Sequence, residues 1–177
     1  MLAKEEPQVV YSCFTKAICH RWTYVQRTIP NIAHLFRPLE SAIRDTFIPA
    51  LIGRNVSDVE RRILALPVRL GGLGIVNPTN SSHEYNASAA ITENLSAIIY
   101  NQEADFSNYN REQVKEIVAT VKAEKERRLK LELDEIHQLV DPKMKRILDM
   151  SQEKGSGAWL NALPIQSLGY TLKKQEF

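Results

Sequence analysis

Leu66-Pro67-Val68-Arg69-Leu70-Gly71-Gly72-Leu73-Gly74-Ile75 is an order of apolar, basic and glycine residues that neither an amphipathic helix nor an ordinary hairpin requires. Three glycines within four positions allow positive φ and close approach of another backbone, while Pro67 removes an amide donor and favours an extended Leu66. The run predicts a short extended segment, a sharp turn built on Gly71, Gly72 and Gly74, and a second apolar segment through Ile75 and Val76. Asn77-Pro78 stops it. Everything around this run reads as helix. The expected fold is all-α: a helical bundle with a short Gly-rich extended turn and a long projecting charged helix.

Upstream, Gln8 to Thr28 reads as one helix with Val10, Phe14, Ala17, Ile18 and Val25 on its apolar stripe. A second helix starts near Pro38 and carries Leu39, Ala42, Ile43, Phe47 and Leu51 to Gly53; Pro49 should bend or split it. Ser57-Asp58-Val59-Glu60 is a capping box opening a helix with Val59, Ile63 and Leu66 inward and Arg61 and Arg62 outward. Downstream, Ser88, Ile91, Leu95, Ile98 and Ile99 mark a helix that ends in a polar loop over 101–110. Asn110 with Gln113 then caps a helix reaching Val140, some thirty residues or about 45 Å at ~1.5 Å per residue. That length predicts an arm. Asp141-Pro142 caps the next helix, in which Met144, Ile147 and Leu148 pack before Gly155-Ser156-Gly157. A short helix around Trp159, Leu160 and Leu163 ends at Pro164, and Ile165 to Leu172 reads as extended. The expected organisation is a helical domain over 8–105, an arm or linker over 110–154, and the truncated start of a following segment over 155–177.

With 177 residues, 44% hydrophobic content and a net charge of +2, the chain can bury one core with an extension. It has no run of 18 apolar residues and no secretory leader, so no membrane partner and an intracellular location are expected, with no choice between nucleus and cytoplasm. Cys13 and Cys19 read as reduced thiols, Cys13 as a packing residue. No cofactor or metal is expected: His83-Glu84-Tyr85-Asn86-Ala87 lacks the second His of the zinc-protease pattern. Gly71-Gly72-Leu73-Gly74 matches neither the phosphate loop nor the dinucleotide fingerprint.

The charge is unevenly placed. Between Thr15 and Leu70 nine basic residues face four acidic ones, whereas 71–110 contains no Lys or Arg and four acids. A polyanion would prefer the first segment. On a single-helix wheel Lys16, His20, Thr23 and Arg27 share one narrow sector. Arg21 lies on the apolar stripe and needs a carboxylate or a phosphate, the carboxylate candidates being Asp58, Glu60, Asp45 and Glu40. Trp22 and Tyr24 read either as core or rim aromatics or as base-stacking groups. The candidate nucleic-acid contacts are Lys16, His20, Arg21, Arg27, Arg37, Arg44, Arg54, Arg61, Arg62 and Arg69, with Pro67, Gly71, Gly72 and Gly74 as the structural motif.

The Leu66 to Pro78 run, with Arg21-Trp22-Thr23-Tyr24 upstream and Gly157-Ala158-Trp159-Leu160-Asn161-Ala162-Leu163-Pro164 downstream, resembles the region of non-LTR (LINE-like) retrotransposon polyproteins that follows the reverse-transcriptase catalytic core. The resemblance implies a thumb-like region gripping RNA or DNA by its backbone without reading sequence. It implies the rest of the polyprotein as a partner, and 110–140 is the candidate surface for self-association. Such polymerases use adjacent aspartates to hold two metal ions; this chain has no adjacent Asp pair, so an enzyme is not expected. The alternative is a transposon-derived remnant serving as a small helical interaction module or having no selected activity.

Overall fold

The structure, a computed structural model, describes residues 2–80, 82–100 and 111–172. Among them every regular element is helical, and the fold is all-α. The 101–110 loop, the Asn110 cap and Phe177 lie outside the described residues.

The first stretch is not one helix. After α1 (Leu2–Glu5), α2 (Pro7–Lys16) ends where Ala17 leaves helical geometry at φ −129°, and a 3-10 turn at Ile18–His20 leads into α3 (Thr23–Thr28). The two pieces are held by different neighbours. Tyr11 Oη donates to Leu73 O at 2.7 Å, whereas Gln26 Nε2 donates to Pro78 O at 2.8 Å. Breaking the helix lets each piece turn its own face inward, and buried Gln8 and Gln26 are tolerable because backbone carbonyls accept from them. The single-helix stripe is therefore corrected: Phe14 is buried, but Ala17, Ile18 and Val25 are exposed. Cys13 is exposed, and Cys19 packs on the core instead.

Pro49 does not split the next helix. It runs as α4 (Arg37–Ala42), a π turn (Ile43–Phe47) and α5 (Ile48–Ile52), the wider turn falling where the proline ring would meet the carbonyl four residues back. Gly53 closes it at φ +83°. Phe47 stacks on Phe14 with ring centroids 4.4 Å apart. These elements form a first core of Tyr11, Phe14, Ile43, Ile48, Leu51, Ile75 and Leu160.

The Ser57 box is complete: Ser57 Oγ accepts from Glu60 N at 3.2 Å, and Glu60 Oε2 accepts from Ser57 N at 2.8 Å. It opens α6 (Asp58–Ala65). Leu66 and Pro67 are extended, Val68–Leu70 form a 3-10 turn, and Gly71 and Gly74 take φ of +82° and +67°. The chain then returns along its own path, with Gly74 N donating to Leu66 O at 2.8 Å and Ile75 N to Leu64 O at 3.0 Å. Gly72 sits so tightly beneath α6 that a Cβ there would lie 2.1 Å from Leu66 O.

Helix α7 (Ser82–Tyr100) lies against α3 and α8 (Arg111–Leu139), and α8 also crosses α6. Asp141 Oδ1 accepts from Met144 N at 2.8 Å and opens α9 (Pro142–Ser151). A second core gathers Leu66, Leu133, Ile136 and Leu148, with Val59, Ile63 and Met144 around it; Ile147 stays exposed. The 29 residues of α8 span about 43 Å. They are anchored, not free-standing: Leu133 and Ile136 are buried at one end, Val114, Ile117, Val118 and Val121 are half-buried at the other, and Lys122–Arg127 between them are exposed except as ion pairs. Residues 165–172 contain a 3-10 turn at Gln166–Leu168 where an extended run was expected, and Gln8 clasps them through Tyr170 O and Leu172 N. Both cores draw residues from more than one of the segments expected from sequence. Among the described residues no helix is long and apolar enough to cross a membrane.

Glycines 53 and 72 should respond differently to an added methyl. Gly53→Ala meets open space and costs about 1–2 kcal/mol for its left-handed backbone. Gly72→Ala forces two backbone carbonyls apart and costs roughly 3 kcal/mol or more. Urea melts of the two variants measure the difference.

Candidate nucleic-acid interface

Of the ten candidate basic residues, six hold carboxylates among the described residues. Arg61, expected outward, is 4% exposed. Its Nε and Nη2 reach both oxygens of Glu40 at 2.7 Å, and Nη1 donates to Ile75 O at 2.7 Å. This corrects the surface reading: position 61 faces α4 and the returning glycine strand, and a guanidinium can sit there only because all three contacts are charge-assisted or backbone-directed. Arg61 is therefore withdrawn as a nucleic-acid contact.

Arg62, the next residue and about 100° farther round the helix, points at α8, where Glu132 accepts at 2.6 Å and Glu135 at 2.7 Å. Those hydrogen bonds raise its pKa, Glu132 contributing most. Arg69 bonds Glu126 farther along α8. Arg54 takes Glu60 at 2.6 Å, Arg44 takes Asp58 at 2.5 Å, and Arg27 takes Glu84 at 3.2 Å. Four of these pairs span long stretches of sequence, which is why local charge counting missed the acids. The surplus between Thr15 and Leu70 is drawn down by Glu84, Glu126, Glu132 and Glu135 from elsewhere. Arg21 proves exposed and has no need of a partner, because the helix break at Ala17 takes it off the apolar stripe.

Two acids show the electrostatic consequence. The Arg54 hydrogen bond, helped by the Ser57 amide, holds Glu60 at about 2, below its ordinary 4.5. Burial would raise Glu84, but Lys125 at 3.6 Å and Arg27 outweigh it and leave its pKa lowered.

Arg27, Arg54 and Arg69 stay at the surface together with their carboxylates. Lys16, His20, Arg21 and Arg37 are all at the surface, with Tyr24 74% exposed beside Arg21. Trp22 packs at 6.1 Å from Phe14 and belongs to the rim of the first core. Pro67, Gly71, Gly72 and Gly74 form the turn described above. Among the described residues no cluster of His, Cys, Asp and Glu is arranged to hold a metal ion.

No protein-family model matches this chain, and no curated protein or solved structure matches it.

Two measurements check the electrostatics. Glu40→Ala strands a buried guanidinium and should cost about 3–5 kcal/mol, whereas removing exposed Glu126 should cost under about 1 kcal/mol. Glu60 is depressed in the fold, so its contribution is fully present above pH 4.5 and is lost as pH falls toward 2. In Glu60→Gln the stability-against-pH curve should be flatter across that window while the capping box is retained.

Proposed function

We propose that this chain is a non-catalytic helical module of the kind its sequence resembles, the thumb-like region behind a reverse-transcriptase core. It holds a nucleic-acid backbone without sequence preference. The contact surface is narrower than the list of ten: Lys16, His20, Arg21 and Arg37, with Tyr24 available to stack. The observation that carries this reading is the break at Ala17, which takes Arg21 off the apolar stripe and leaves it exposed together with His20 and Tyr24. Arg27, Arg44, Arg54, Arg62 and Arg69 act as staples between helices and contribute little to phosphate binding.

A second reading has its own observation. Trp159, Leu163, Leu168 and Tyr170 are 42%, 54%, 59% and 56% exposed, an apolar surface suited to a protein partner. In that case the chain is a small helical interaction module.

Fluorescence anisotropy with a labelled duplex separates the two. Backbone binding should fall with salt at a log-log slope of about −3 for three or four phosphates neutralised. Arg21→Ala with Arg37→Ala should abolish most of it without moving the melting temperature. Absence of binding at low salt, or binding indifferent to salt, rejects the nucleic-acid reading in favour of the interaction module.

A further inference from the structure

Helices α7 and α8 enclose a groove of about 640 Å³, with Arg27 of α3 at its rim. The size suits a small organic ligand. Ala87, Ala90, Ile91 and Val121 supply an apolar floor, and charged side chains stand along the walls. A smaller pocket of about 320 Å³ continues it toward α6, sharing His83 and Arg128 with the larger one.

The charges of these walls are nearly all matched. Glu84 holds Arg27 and Lys125, Glu124 holds Arg127, and Glu132 holds Arg62. Arg128 is different. It is half-buried where the two pockets meet, and among the described residues it makes neither a hydrogen bond nor an ion pair. The carboxylates lining these walls are hydrogen-bonded or ion-paired to other cations, and Glu124, the one that Arg128 also influences, is bonded to Arg127. His83 lies on the same wall, half-buried and likewise without a hydrogen bond among the described residues. Its pKa is lowered by burial first and then by Arg128, which keeps the ring neutral and its N–H available as a donor.

We propose that the α7–α8 groove binds a small organic anion, its carboxylate or phosphate head on Arg128 with His83 donating, and its apolar body on Ala87, Ile91 and Val121. One arginine without a hydrogen bond to a carboxylate suits a single head group and not a polyanion, so this site is separate from the Arg21 surface. The floor is too large and too apolar for a bare inorganic ion.

The probe is 1-anilinonaphthalene-8-sulfonate, an anion on an aromatic body, titrated into the full chain by fluorescence. It should bind with one-to-one stoichiometry, while the uncharged N-phenyl-1-naphthylamine binds at least about tenfold more weakly, the size of one hydrogen bond to a charged group. Arg128→Gln should weaken the sulfonate about tenfold and leave the neutral dye unchanged. Ala87→Leu, which fills the floor, should weaken both, with circular dichroism melts confirming that each variant folds. Displacement by dodecanoate identifies a fatty carboxylate as the ligand type; displacement by adenosine monophosphate identifies a nucleotide phosphate. Equal binding of the two dyes, indifference to Arg128→Gln, or displacement by neither competitor overturns the proposal. These outcomes are independent of duplex binding at Arg21 and Arg37.

Discussion

The bidentate pair between Arg61 and Glu40, with its third hydrogen bond to Ile75 O, is the constraint on which the arrangement of the first half depends. It ties together α4, α6 and the segment returning from the glycine turn, adding direction to the apolar contacts and backbone hydrogen bonds that already bring them near one another. Hydrophobic contact alone tolerates sliding, because apolar burial has no direction. A buried guanidinium does not, since any displacement that lengthens one of its three bonds leaves a charge or a carbonyl poorly satisfied in a medium of low dielectric. The pair adds less to net stability than it does to register. Ile75 is fully buried in the first core and Leu66 nearly so in the second, and the carbonyl that Arg61 grips belongs to Ile75 itself.

The glycine turn makes that grip possible. The strand can return under α6 only if residue 72 carries no side chain, because its backbone passes beneath the carbonyls of Ile63 and Leu66. Gly71 and Gly74 supply the positive φ that reverses the path over so few residues. The same turn touches the C-terminal segment, where a Cβ on Gly157 would meet Val68 at 2.2 Å. The turn and the C-terminal segment therefore meet in space, and the close approach gives a packing reason for the glycine at 157.

Elements with local causes were legible in the sequence. The Ser57 box, the Asp141 cap and the reversal at Gly71 to Gly74 each follow from residues within a few positions of one another. So does the presence of helices at the remaining stripes. Elements with distant causes were not. No periodicity reveals that Tyr11 and Gln26 bond to Leu73 and Pro78, and those two contacts accompany the break of the first helix at Ala17 that undoes its wheel. Arg61 sits between polar neighbours and reads as surface until Glu40, 21 residues away, is seen opposite it. The groove at Arg128 was invisible for the same reason, since its walls come from residues some thirty positions apart in the sequence.

The charge pattern carries the same lesson into function. A basic stretch facing an acidic stretch along the sequence is ambiguous between a binding surface and a chain that neutralises itself, because sequence separation says nothing about distance. Here the long helix α8 brings Glu126, Glu132 and Glu135 back across α6 and the glycine turn. A phosphate approaching Arg62 would have to displace two carboxylates held at covalently fixed effective concentration, whereas one approaching Arg21 displaces only water. That asymmetry, more than the number of arginines, decides where a polyanion can rest. It also explains why a formal surplus of positive charge between Thr15 and Leu70 reduces to a few exposed side chains beside the break in the first helix.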